Sequence, residues 1–146
     1  KNEHLTTAVH ELALSVVFNS GLLHFADNEK SYSVLPDFVK DFLKEVPVVF
    51  DETKLIDGYP GEYVLIAARK ENNWYLAGIN SKNEKRTMSI RCDFLNEGNY
   101  IIKKLTDNSL SAVSKINHSE NIITQQSSLS IDFLPYGGFI AKIYIK

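Results

Sequence analysis

Cysteine occurs once in this chain, at Cys92, so no internal disulfide can form and a disulfide-stapled fold is excluded. No apolar run reaches the ~18 residues that would suggest a membrane-spanning helix, and the polar start KNEHLTT does not read as a signal peptide. Net charge is nearly absent as well. Sixteen basic against eighteen acidic side chains leave −2, which offers no general field for nucleic acid or for an anionic membrane surface. The sequence also lacks a phosphate-binding glycine loop, a nucleophile elbow and any histidine or cysteine spacing of a zinc site. With all of these missing, no self-sufficient active site stands out.

What is present is an ordinary soluble composition, 44% apolar and 23% charged over 146 residues, enough for one domain or for a small domain with an appended piece of another. The middle, residues 46–80, reads as successive strands. VPVVF is a short apolar run, KLI follows the acidic pair Asp51 and Glu52, and Gly58-Tyr59-Pro60-Gly61 turns the chain into EYVLIAARK. Glu71-Asn72-Asn73 then separates that run from WYLAGIN, a hairpin signal. Further on, TMSIRCDFL alternates, with Met88, Ile90, Cys92 and Phe94 on one face. YIIKKL, NIITQQ, LSIDFL and FIAKIYIK follow, with turns at 96–99, 106–109 and 135–138. So many short strands between turn signals predict an antiparallel β-sandwich. The polar span 109–120 is expected to be a loop.

The first third differs. Residues 5–18, LTTAVHELALSVVF, carry Leu5, Val9, Leu12 and Val16 on one helical stripe, with Thr6 or Thr7 as a cap. GLLHFAD, residues 21–27, reads as a strand buried on both faces. SYSVLPDFVKDFLKEVP reads as a second helix, opened near Pro36 and stopped by Pro47. Helix, buried strand and helix make a fragment of an α/β layer, and that strand has no parallel partner in this chain.

Four histidines, His4, His10, His24 and His118, are available, and the sequence gives each a structural or surface role. Glu11 could orient His10. Asp27 closes the buried strand, followed by Asn28 and Glu29. The carboxyl ends of strands are where α/β sites assemble, which makes Asp27 the one substrate-side loop candidate, against the plainer reading of a cap. Asp51 and Glu52 are adjacent on a strand end and point to opposite faces, which argues against paired acid and base work. Trp74, Tyr75, Tyr59 and Tyr63 could form a sugar-stacking platform, although rings at such positions are more often sandwich core.

In their order along the chain, HELAL, DET, DGYPGEYVLIAARK with its Trp-Tyr hairpin partner, and the Gly-Gly-Phe near the end resemble the C-terminal end of glycoside hydrolase family 97 enzymes. The resemblance implies an N-terminal β-supersandwich, a central (β/α)8 barrel and a C-terminal β-sandwich. On that plan residues 1–45 are the last helix-strand-helix of the barrel and residues 46–146 the C-terminal β-sandwich domain, giving a mainly β chain.

The family implies hydrolysis of α-glucosides or α-galactosides by inversion or retention, a calcium ion near the site, and a periplasmic or extracellular parent. The catalytic and calcium-binding carboxylates are expected outside this chain, so no catalytic residue, metal ligand or cofactor is assigned within it. Its expected partners are the N-terminal and barrel parts of the parent enzyme, and an α-linked oligosaccharide through them, with neither nucleic acid nor membrane. Two alternatives stay open. One is a carbohydrate-binding β-sandwich, favoured by an exposed row of rings around Trp74. The other is a domain in which the helical segment simply covers one sheet.

Overall fold

The computed structural model of the protein describes residues 5–18, 33–108 and 116–146. Among these residues two helices, α1 (Ala8–Val17) and α2 (Asp37–Glu45), precede eight strands: β1 (Glu52–Tyr59), β2 (Tyr63–Lys70), β3 (Asn73–Asn80), β4 (Arg86–Arg91), β5 (Tyr100–Asp107), β6 (Ile116–Ile123), β7 (Ser128–Phe133) and β8 (Gly138–Ile145). Six of them form one sheet in the order β1-β2-β3-β8-β5-β6, and β4 and β7 form a two-stranded ribbon. Every pairing is antiparallel. The expected antiparallel sandwich is present, with layers of very unequal width.

The central strands are apolar along their whole length because both of their faces are covered. Leu65 and Ala67 of β2, Trp74 and Leu76 of β3, and Phe139, Ala141 and Ile143 of β8 point toward the ribbon, where they meet Met88, Ile90, Leu129, Ile131 and Phe133. The alternate residues Ile66, Ala68, Tyr75, Ala77 and Ile140 point the other way, onto Val9, Leu12, Ala13 and Val16 of α1 and Val39 and Phe42 of α2. The ribbon needs only one apolar face, and its strands show the clean alternation the sequence predicts: Met88 and Ile90 are buried while Thr87, Ser89 and Arg91 are exposed. One ring fits only because a neighbour has no side chain. A Cβ on Gly78 would lie 2.8 Å from Cζ of Phe133.

The start of α1 is fixed by three elements at once. Thr7 is its N-cap, its Oγ1 accepting the His10 N–H at 3.2 Å. The same hydroxyl donates to Asp107 Oδ2 at 2.6 Å, the Val9 N–H donates to Asp107 Oδ1 at 3.1 Å, and the Gly138 N–H donates to Asp107 Oδ2 at 2.9 Å. Asp107 thus joins the first turn of the helix to β5 and β8. Thr7 also donates its N–H to the Tyr136 carbonyl at 3.1 Å. The end of α2 is tied less tightly, by the Tyr75 hydroxyl donating to the Glu45 carbonyl at 2.9 Å and by Lys142 Nζ 2.9 Å from Glu45 Oε2.

Several boundaries differ from the sequence expectation. VPVVF is not a strand: Val48 and Val49 are exposed, Phe50 is buried and Val46 packs partly against the helix-side core. The KLI strand is longer than its apolar core, starting at Glu52 and running to Tyr59. The expected loop at 109–120 gives way to strand from Ile116 onward, and the turn expected at 106–109 starts later because β5 continues through Asp107. The predicted strand 21–27 lies outside the described residues.

Candidate functional site

Asp27, together with Asn28, Glu29, His4 and His24, also lies outside the described residues. The remaining candidates are scattered. Asp51 accepts the Glu71 N–H at 2.7 Å and pairs with Lys70 Nζ at 3.0 Å, and these two bonds pull its pKa down. Glu52 faces Arg69 at 3.1 Å and Lys54 at 3.3 Å, which lower its pKa likewise. Each carboxylate is thus held ionised by its own cationic partners, and the two do not share a proton. Asp51 instead holds the β2–β3 turn, where Glu71 takes a left-handed φ of 53°.

His10 is buried on α1, and His118 stacks on Phe38 with ring centroids 4.4 Å apart. Cys92 is fully buried, and burial pushes its thiol up to about 11, far from a reactive thiolate. Among the described residues no three His, Cys, Asp or Glu side chains gather as a metal site.

The aromatic row does not assemble into a platform. Trp74 and Tyr75 point to opposite faces of the sheet and are only 7% and 2% exposed. Trp74 packs edge-on against Phe94 at 5.0 Å, with Lys54 Nζ 5.3 Å from its ring centre. Tyr75 serves as a tether to α2, and burial raises its hydroxyl to about 12. Tyr63 lies under the Arg86 guanidinium at 4.4 Å, and Tyr59 alone is open, at 62%. Rings that hold a core together cannot also offer their faces to sugar rings.

The described surface also has shallow depressions, two of which stand out. One, of about 330 Å³, lies between β5, β6 and the ribbon strand β7 and is lined among others by Lys104, Thr106, Asp107, Asn117, Ser130 and Asp132. The other, of about 300 Å³, lies between 97–99 and 124–126. Both are polar and open, and in the first of them Asp107 is already committed to the Thr7, Val9 and Gly138 bonds. The sequence reading missed a different kind of feature: Asp107, assigned to a turn, and Asn80, inside WYLAGIN, both organise the end of the sheet nearest α1. Buried Asn80 donates to the Glu84 and Leu134 carbonyls at 2.7 and 3.0 Å and accepts the Lys82 N–H at 3.2 Å. A lone amide at the end of an otherwise apolar strand was its only signal.

The surface carries a scatter of exposed apolar side chains, among them Leu5, Val48 and Val49 around the helical layer, and Leu55 and Ile122 on the two edge strands of the large sheet. Chemically, the described surface is equipped to pack and to pair.

Comparison with known proteins gives a consistent result. The family model described as glycosyl-hydrolase 97 C-terminal, oligomerisation, matches residues 49–144. A retaining α-galactosidase of Bacteroides thetaiotaomicron is 32% identical over 139 residues, covering 94% of this chain and 21% of the relative. The chain therefore spans about a fifth of that protein's length. Among solved structures, a family 97 enzyme from Pseudoalteromonas sp. strain K8, in complex with acarbose, superposes with a TM-score of 0.89 at 24% identity over 97% of this chain and 23% of that one. A β-arabinopyranosidase gives 0.80 at 26% identity, over 94% of this chain and 21% of its own.

Proposed function

The chain belongs to the C-terminal domain family of glycoside hydrolase family 97, and from that premise we propose that it is the non-catalytic supporting sandwich of an α-glycoside hydrolase. The observation that carries this is the burial of Trp74 and Tyr75 on opposite faces of a sheet closed by the ribbon and by α1. It removes the stacking face that a sugar-binding module would need. The domain supports the enzyme by packing and, in keeping with the description of its family, by bringing copies of the enzyme together.

The chemistry assigned to the whole enzyme is protonation of the glycosidic oxygen by one carboxylic acid while a second carboxylate attacks the anomeric carbon or activates water. Of the two stereochemical outcomes we favour retention, and of the substrates α-galactosides, because the full-coverage relative is named for both. Both carboxylates belong to parts of the enzyme outside this chain, where residues 1–45 join the barrel. The calcium that the family implies fits no set of described residues here, since no three candidate ligands converge.

The test compares the 146-residue chain with the full-length enzyme on p-nitrophenyl α-galactoside and α-glucoside. The chain is expected to be inactive on both and the full-length protein active, more so on the galactoside. Turnover by the chain alone would overturn the assignment.

A further inference from the structure

The large sheet has two open edges, β1 and β6, and they are built differently. An edge strand exposes a row of outward N–H and C=O groups, and proteins normally blunt it with bulges, lysines, prolines or charges. The edge at β1 is blunted: its register is broken between Leu55 and Asp57, and Glu52, Lys54 and Asp57 lie along it. The edge at β6 lacks these devices apart from the single carboxylate Glu120. It runs in unbroken register against β5, from Tyr100↔Ile123 to Asp107↔Ile116, without bulge, proline, glycine or lysine. Among the described residues nothing covers its outer side, and its six inner positions 117–122 are all exposed.

Most of this strand reads nearly the same in both directions. Residues 116–122 are Ile-Asn-His-Ser-Glu-Asn-Ile, symmetric about Ser119 except that His118 stands where Glu120 is reflected. An antiparallel pair of identical strands reads one of them backwards, so a sequence of this kind is complementary to itself.

We propose that β6 pairs edge to edge with β6 of a second copy of this chain, antiparallel about a twofold axis through Ser119. This rests on the association of copies proposed above and names the surface that carries it. Residues directly opposite in an antiparallel ladder must point the same way, so the axis has to pass through a residue rather than between two. An axis at Glu120 sets that carboxylate against its own copy, and an axis at His118 sets the two imidazoles together. Like charges directly opposite are unfavourable, which disfavours the axis at Glu120, and the axis at His118 sets each Glu120 opposite an Ile116 with no polar partner.

The axis at Ser119 sets Ile116 against Ile122, Asn117 against Asn121, and His118 against Glu120 twice over. His118, Glu120 and Ile122 share the helix-side face, since they pair with Leu105, Lys103 and Ile101 of β5. On that face Phe38 already holds the His118 ring, and Lys103 Nζ lies 4.0 Å from Glu120. The ladder therefore sets a hydrogen-bonding imidazole opposite the carboxylate that Lys103 already faces in each copy. Ile122, 58% exposed in the single chain, is covered. Such an interface is isologous and closes on itself, as a twofold dimer must.

The experiment is cysteine cross-linking with light scattering. Residues opposite in such a ladder have Cα atoms ~4.5–5.5 Å apart, within the ~4.4–6.8 Å a disulfide spans, and the native Cys92 is fully buried. Under oxidised glutathione, Ser119→Cys is expected to form a covalent dimer. Asn117→Cys, whose two copies lie off the axis, and Leu55→Cys on β1 are expected to remain uncoupled. His118→Glu should return the chain to its 16.5 kDa monomer mass, and His118→Glu combined with Glu120→His should restore the dimer. A wild-type dimer in which Leu55→Cys or Asn117→Cys couples and Ser119→Cys does not would overturn this surface while leaving association itself intact. A wild-type chain that stays monomeric in light scattering, together with a monomeric full-length enzyme, would remove both.

Discussion

Replacing Gly138 by alanine should detach the first turn of α1 from the sheet. Gly138 opens β8 directly beneath that turn, and an added Cβ would lie 2.5 Å from the Val9 carbonyl carbon and closer still to the His10 N and Cα. These are backbone atoms, which cannot rotate away as a side-chain tip can. Restoring ordinary contact requires the helix start to rise by roughly an ångström, and overpacking of this kind costs ~1–3 kcal/mol. The same movement stretches the Thr7 and Val9 bonds to Asp107, now 2.6 and 3.1 Å, and a weakened bond to a carboxylate adds ~1–2 kcal/mol.

The sum is about 2–5 kcal/mol, which at ~3 °C per kcal/mol for a chain of this size lowers Tm by roughly 6–15 °C. Gly78 supplies the comparison. There the added methyl meets Leu65 Cδ1 at 2.7 Å and Phe133 Cζ at 2.8 Å, both ends of side chains, so Gly78→Ala should cost less, ~1–2 kcal/mol. Thermal denaturation followed by circular dichroism measures both. A Gly138→Ala variant that melts with the wild type, or above Gly78→Ala, would refute the claim that backbone contact at the helix start limits this site.

Asp107→Asn should destabilise by ~1–3 kcal/mol, because one half of the amide turns an N–H toward donors that now meet a carboxylate oxygen. Its pH dependence is distinctive. Burial raises the Asp107 pKa above 3.8 despite the Thr7, Gly138 and Val9 bonds that lower it, so its contribution is greatest below the unfolded value and declines as pH rises through the raised one. The Tm gap between wild type and Asp107→Asn should therefore narrow with rising pH across that window; a widening gap contradicts the assignment. Asp51 and Glu52, whose pKa values are lowered, contribute with the opposite sign: their share is present above their unfolded values and lost on acidification. Trp74→Ala should cost ~3–5 kcal/mol as a core truncation, and a stable variant with altered sugar affinity would instead restore the binding reading. Glu71→Gly should match or exceed wild-type stability in chemical denaturation, since glycine accepts φ 53° without a Cβ clash.

Strands covered on two faces were plain in the sequence. YVLIAA, WYLAG and FIA are apolar at every position because each neighbouring residue enters a different core, and TMSIRC alternates because the ribbon has one core side. The edges were obscure for the same reason. β6 is buried only at Ile116 and Ile123, so INHSEN carries no hydrophobic period and looks like a loop. VPVVF erred in the other direction: its apolar character goes to Val46 and Phe50 at its two ends, leaving Val48 and Val49 outside. Asp107 was hidden because its partners, Thr7, Val9 and Gly138, lie ~30 or ~100 positions away in the chain, beyond any local pattern. The family was legible too, since it depends on the order of several weak motifs.

The place of β8 between β3 and β5 has a consequence for how the protein is made. Until residues 138–145 have emerged from the ribosome, the meander β1–β3 and the hairpin of β5 with β6 are two separate half-sheets, each showing an unzipped inner margin of Leu76, Ala77, Ile102 and Leu105 to whatever is nearby. The nascent chain must therefore wait for its closing segment before either half is safe from the wrong neighbour. Loss of that segment leaves two halves with nothing to join them.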